Sequence, residues 1–164
     1  MPVSGGVAVS GIYDAYVCIR DKKTLGTDGG TFTSGAWHTR DINEEQADTA
    51  GICAIAANQI TLAVGTYTCL IFCPAMGVVR NQAKLYNVTD GVDILMGSVA
   101  YVHPNVEGFF ESGYAIVAGR FTLAAQKVLE IQHQCEWTRA TDGFGAACSF
   151  ADEIYTVAQF WREG

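Results

Sequence analysis

The chain has 164 residues, 49% of them hydrophobic and only 16% charged, with a formal net charge of −7. That length fits one domain with a substantial core, residues 1–164 with 1–12 as an extended N-terminal segment, and not two domains. The acidic balance, with Lys22 and Lys23 as the one adjacent cationic pair, argues against nucleic acid as a partner; no apolar run approaches the ~20 residues of a membrane-spanning helix.

Strand-like segments separated by Gly, Asn and Asp follow one another along the chain, and no 3.6-residue apolar period persists, so the fold class is all-β. Residues 13–20 alternate well. Residues 21–30 form a polar, glycine-rich loop, and 31–39 are extended around Phe32 and Trp37. Residues 41–50, Asp-Ile-Asn-Glu-Glu-Gln-Ala-Asp-Thr-Ala, are the best helix candidate, read at this length as a turn or a short 3-10 piece. Strands are expected over 52–55, 59–62, 66–73, 81–87, 94–101, 113–123, 127–137 and 154–161. Asp90-Gly91 signals a type I′ hairpin.

The run 60–73, Ile-Thr-Leu-Ala-Val-Gly-Thr-Tyr-Thr-Cys-Leu-Ile-Phe-Cys, reads as a strand, a tight turn at Gly65 and a strand apolar on both faces. Alternation puts Tyr67, Cys69, Ile71 and Cys73 on one face and Thr68, Leu70 and Phe72 on the other. One face fills a sandwich core. The other needs a cover, most economically another copy of the chain.

No residue pattern points to catalysis. His38, His103 and His133 are far apart in sequence and sit in no catalytic or zinc motif; Gly26-Thr-Asp-Gly-Gly30 lacks the Lys-Ser/Thr of a phosphate loop. His133 and Cys135 share a strand face, but a lone pair at that spacing reads as packing before metal binding. The carboxylates Asp21, Asp28, Glu44, Glu45 and Asp48 read as solvated loop charge before a calcium site. The N-terminus lacks the features of a signal peptide, so the six cysteines are expected to be reduced and core-filling. No cofactor, metal or catalytic residue is expected.

Three segments carry a family resemblance: Leu62-Ala-Val-Gly-Thr-Tyr-Thr-Cys-Leu-Ile-Phe72, Val117-Ala-Gly-Arg-Phe-Thr-Leu-Ala-Ala-Gln-Lys-Val-Leu-Glu-Ile131, and Phe150-Ala-Asp-Glu-Ile-Tyr-Thr-Val-Ala-Gln-Phe-Trp161. Together they resemble the trimeric jelly-roll superfamily of tumour necrosis factor and the complement globular heads. The resemblance implies a Greek-key jelly-roll β-sandwich assembled as a homotrimer, with Leu70, Ile116 and Tyr155 at axis-facing positions. Phe72, on the face of Leu70, joins them as a trimer-interface candidate.

Within that superfamily, Gly29-Gly-Thr-Phe-Thr-Ser-Gly-Ala-Trp37, Leu85-Tyr-Asn-Val-Thr-Asp90 and Gly119-Arg-Phe-Thr-Leu-Ala-Ala125 resemble small virion proteins of tailed bacteriophages. That resemblance implies a capsid cement, or decoration, protein seated on the major capsid protein at junctions between its subunits. It would lie on the capsid exterior after assembly in the bacterial host cytoplasm. A chain that starts at its own Met and is nearly all jelly roll favours this role over a tail-fibre tip, which usually follows a long shaft. The alternative is such a tip, binding a host receptor or glycan through exposed aromatics, with Trp37, Phe109, Phe110 and Trp137 as candidates.

Overall fold

The computed structural model describes residues 11–104, 108 and 111–164. Strands run in chain order as β1 Tyr13–Lys23, β2 His38–Thr39, β3 Glu44–Asp48, β4 Cys53–Ala56, β5 Gln59–Leu62, β6 Gly65–Met76, β7 Val79–Asn87, β8 Val92–Val102, β9 Ser112–Leu123, β10 Lys127–Cys135 and β11 Glu153–Glu163. They form two antiparallel sheets, β3-β1-β11-β6-β9 and β4-β5-β10-β7-β8, with β2 pairing β10. The first sheet joins strands from both ends of the sequence, as a Greek key requires.

Alternation decides which side chains go inside. Val17 and Ile19 of β1, Tyr67, Cys69, Ile71 and Cys73 of β6, Val117 of β9 and Phe160 of β11 are buried, facing Ile60, Leu62, Leu85, Leu129 and Ile131 of the opposite sheet. A second cluster at one end gathers Phe32, Ala75, Val78, Val102 and Cys135 against Phe144. Full burial of each large apolar side chain is worth about 1.5–3 kcal/mol before the entropy of ordering is charged against it.

Three expectations are corrected. Residues 41–50 hold no helix or 3-10 turn; Glu44–Asp48 is an edge strand on β1, with Val17 opposite Asp48 and Arg20 opposite Glu44. Its helix-forming composition yields to backbone pairing and to the Arg20 guanidinium, which donates to Glu44 at 2.7 Å. Gly65 is not a hairpin turn: β5 pairs β4 and β10, whereas β6 pairs β11 and β9, so residues 63–64 carry the chain from one sheet to the other. The β7–β8 hairpin exists, but Asn87 is opposite Val92, leaving a four-residue loop in place of a type I′ turn. Asn87 closes that loop, its Nδ2 donating to Asp90 Oδ2 at 2.8 Å and its Oδ1 accepting from Asp90 N at 3.0 Å. Between 31 and 39, regular pairing is confined to the Phe32–Arg139 bridge and β2.

Candidate functional site

The outer face of the first sheet is apolar at its centre. Leu70 sits opposite Ala118 of β9 and Gln159 of β11, and Phe72 sits opposite Ile116 and Val157. Leu70, Phe72, Ile116 and Val157 are all half-buried in the protomer. Tyr114, 57% exposed, extends the patch with its ring edge-on to Phe72 at 6.1 Å. Ion pairs lie on the strands beyond this centre: Arg120 with Glu163, Arg162 with Asp14, and Arg20 with Glu44.

Leu70, Phe72 and Ile116 are thus brought together. Tyr155 is treated differently by the fold: its ring is buried beneath the chain's own loops, and its hydroxyl donates to the Thr27 carbonyl at 2.7 Å. Gly145 lies so close that a Cβ there would be 2.5 Å from the ring, and its φ of +135° also favours glycine. Val157 and Tyr114 went unnoticed in the sequence, although each follows from continuing the alternation of Gln159 or Ile116 by one step.

Glu153 anchors the loops that cover Tyr155. Its carboxylate accepts from the backbone N–H groups of Gly26, Cys148 and Ser149 at 3.1, 3.0 and 2.8 Å. These three donors hold its pKa below the ordinary glutamate value. A depressed carboxylate contributes stability above its unfolded pKa, and the contribution is lost as pH falls through the folded one. Glu153→Gln is therefore expected to lower the melting temperature at neutral pH and to narrow the gap to wild type as pH drops below about 4.3. Thermal melts across that range check this; a constant gap would contradict it.

Among the described residues, Arg40 is a fully buried cation without a carboxylate in contact. Arg40 is 1% exposed; its Nε donates to Thr156 Oγ1 at 2.8 Å, Nη1 to the Pro74 carbonyl at 3.1 Å and Nη2 to the Phe144 carbonyl at 3.3 Å. The guanidinium also stacks over the Phe144 ring at 4.2 Å. Burial lowers its pKa, opposed by the fields of Cys73, Asp21 and Asp41. Beside it, Phe32 stacks on Phe144 at 4.3 Å and lies 4.7 Å from His133. His133 Nε2 is 2.9 Å from Asn81 Oδ1, and burial lowers its pKa well below the usual value. Cys135 Sγ donates to the Trp137 carbonyl at 3.2 Å, so this pair serves packing.

The carboxylates expected as loop charge are likewise dispersed, and only Asp28 lies in a loop: Asp21 is on β1 and Glu44, Glu45 and Asp48 are on β3. Asp28 accepts from Ala147 N, Asp48 from Ala50 N and Cys53 N, and Glu44 pairs with Arg20 and Lys22. Asp21 is buried, with Lys23 Nζ at 3.1 Å from Oδ1 as an ion pair outside hydrogen-bond geometry. Among the described residues no three His, Cys, Asp or Glu side chains form a group able to hold a metal ion.

All six cysteines are free, and only Cys148 is exposed. Burial pushes the thiols of Cys53, Cys69 and Cys135 up to about 12 and that of Cys73 to about 11, so they stay protonated and unreactive at neutral pH. Brief iodoacetamide treatment of the native protein is expected to modify Cys148 alone. Peptide mass spectrometry checks it, and rapid labelling of Cys69 or Cys73 would contradict the packing described.

The opposite sheet carries a concavity of about 560 Å³ on its outer face. Trp37, Gln82, Val99, Tyr101 and Gln134 line it, together with Arg80 and Glu136. Alternation along β7, β8 and β10 sends Arg80, Gln82, Val99, Tyr101 and Gln134 away from the core, and the β10-β7-β8 order sets them side by side. Arg80 grips Glu136 with two hydrogen bonds, Nε to Oε2 at 2.8 Å and Nη2 to Oε1 at 2.6 Å. Lys84 Nζ stacks over Trp37 at 4.4 Å and pairs with Asp93 at 2.7 Å, which fixes the indole from one side. Of the aromatics proposed from sequence, Trp37 lines the concavity, Trp137 does not, and Phe109 and Phe110 lie outside the described residues.

Comparison with known proteins yields fold matches alone: no protein-family model and no curated protein matches the chain. The globular domain of the zebrafish complement 1qA protein superposes with a TM-score of 0.50 at 15% identity, covering 91% of this chain and 96% of that one. Murine APRIL, in its pH 8.5 crystal structure, gives a TM-score of 0.50 at 7% identity, covering 90% and 98%. The chain is thus a C1q/TNF-like β-sandwich of two antiparallel sheets.

Proposed function

We propose that this protein is a homotrimer that acts by contact, packing three copies through the outer face of the β3-β1-β11-β6-β9 sheet. The observation that carries this reading is the apolar centre at Leu70, Phe72, Ile116, Val157 and Tyr114, on a strand row whose other face already fills the core. Tyr155 contributes indirectly, by holding the loops next to that face.

The trimer's place is a virion exterior, as a capsid cement protein bound to the major capsid protein. The resemblance of 29–37, 85–90 and 119–125 to phage virion proteins supports this, as does a net charge of −7 that disfavours contact with packaged nucleic acid. A protein that binds only the assembled shell stabilises it by mass action, by about a few kcal/mol per site repeated over many sites. Quantifying the chain in purified particles tests it: hundreds of copies per particle are expected, and a handful would reverse the assignment. That second outcome is the tail-fibre tip, a reading favoured by the concavity on the opposite sheet, which the proposed trimer leaves facing outward.

A further inference from the structure

We propose that the concavity on the β10-β7-β8 face is a binding site for the ring of a neutral sugar. Its volume, about 560 Å³, lies within the roughly 300–1,000 Å³ typical of small-molecule sites. The inference deepens the tip reading and rests on the proposed trimer only for the outward placement of this sheet.

Three features select the ligand class. First, the lining combines apolar surface from Trp37, Val99 and Tyr101 with groups able to donate and accept hydrogen bonds. A pyranose has the matching duality, a face of C–H bonds and an edge of hydroxyls. Second, the hydrogen-bonding groups are available: the Trp37 indole N–H, the Tyr101 hydroxyl and the Gln134 amide make no side-chain hydrogen bond with other described residues. Gln82 commits Nε2 to the Gly97 carbonyl at 2.8 Å, which orients its amide and leaves its oxygen to accept. Third, the charges lining the concavity are one cation and one anion, Arg80 and Glu136, and they satisfy each other bidentately. A paired wall attracts neither an anionic nor a cationic ligand, and so favours an uncharged one.

The backbone adds an independent sign. Val79, immediately before Arg80, has a φ of +66°, a left-handed conformation that a β-branched residue rarely adopts. The cost of such a conformation persists only where the surroundings impose it, and strain of this kind clusters at binding sites. Here Val79 lies two residues after Gly77 and begins the strand that places Arg80 and Gln82 in the concavity. Val99 and Tyr101, from the edge strand β8, are 77% and 58% exposed, an open surface for a ring to cover.

Saturation-transfer NMR on the full chain tests the site with the methyl glycosides of glucose, galactose, mannose and N-acetylglucosamine, each against methyl glucuronate and a free leucine-rich peptide. Saturable transfer to at least one neutral glycoside is expected, with Kd on the order of 1–10 mM for a single ring. Gln134→Ala and Trp37→Ala should each weaken it at least about fivefold, while Trp137→Ala, outside the concavity, leaves it unchanged. Circular dichroism melts confirm that each variant is folded, and Gln134→Ala alone suffices if Trp37→Ala is not. Absence of transfer to every neutral glycoside overturns the proposal, as does preference for the glucuronate or the peptide, or binding indifferent to Gln134→Ala. Sedimentation of the same samples separates the claims: a trimer that binds no glycoside overturns the sugar site alone, and a monomer that binds one overturns the assembly alone.

Discussion

Leu70→Asp is expected to dissociate the proposed trimer into folded monomers. Leu70 lies on β6 at the centre of the outer face, between Ala118 and Gln159, and its side chain points away from the core residues Cys69 and Ile71 that flank it. Packing three copies through this face would bring three carboxylates close to one axis, each stripped of water and repelled by the other two. The effective penalty for burying an unpaired ion is several kcal/mol, so assembly should weaken by about 3–5 kcal/mol. The monomer should keep its β-sheet circular dichroism, because the substituted side chain takes no part in the core. Leu70→Ala removes apolar area without adding charge and should cost less. Light scattering during chromatography separates the cases, and an unchanged mass for Leu70→Asp would exclude this face from the interface.

Arg40→Ala is expected to be the most damaging single change to the fold itself. The substitution empties the volume of the largest fully buried side chain among the described residues and removes the donors from Thr156 Oγ1 and the carbonyls of Pro74 and Phe144. It also uncovers one face of the Phe144 ring, which holds Phe32 and with it the second core cluster. Each buried acceptor left without its donor costs about 1–3 kcal/mol, and the cavity adds to this. Burial raises the Asp21 pKa, opposed first by Lys23 and more weakly by the Arg40 field, and Arg40→Ala would remove that second opposing cation. Urea unfolding at fixed protein concentration measures the cost. Arg40→Met, which refills most of the volume but supplies no donor, should recover part of it; a loss below about 1 kcal/mol for Arg40→Ala would contradict the account.

Most of the architecture was legible because strands announce themselves by alternation and this chain alternates nearly throughout. The segments 59–62 and 127–137 are recognisable from the period of two, although β10 ends two residues earlier at Cys135, and the two faces of β6 divide as that period requires. What alternation cannot say is which strand pairs with which. Ile60 and Leu62 therefore seemed to fold back on β6 across Gly65, when they belong to the other sheet. The edge strand β3 is hidden for a different reason: Glu-Glu-Gln-Ala-Asp has no apolar face, none of its residues is fully buried, and they favour helix when considered locally.

The candidate sites divide along the same line. Leu70, Phe72 and Ile116 are neighbours across β6 and β9; the alternation of β6 marks Leu70 and Phe72 as apolar on the outward face, whereas Ile116 enters only through the family resemblance. Tyr155 shows the limit: its strand position was visible, but only the tertiary fold shows that Gly145 and Thr27 close over it. Gln82, Tyr101 and Gln134 come from three strands far apart in sequence, and nothing in their local composition unites them until β10, β7 and β8 lie side by side. Arg40 gave no sign at all, since an isolated arginine is ordinarily a surface residue and its burial depends on carbonyls contributed by Pro74 and Phe144.

The central claim is the threefold assembly through the β6–β9 face, and sedimentation equilibrium of the purified chain at micromolar concentration tests it most directly. A single species at three times the chain mass of 17.6 kDa, unchanged on tenfold dilution, is the predicted result. A species at the mass of one chain across that range would contradict it.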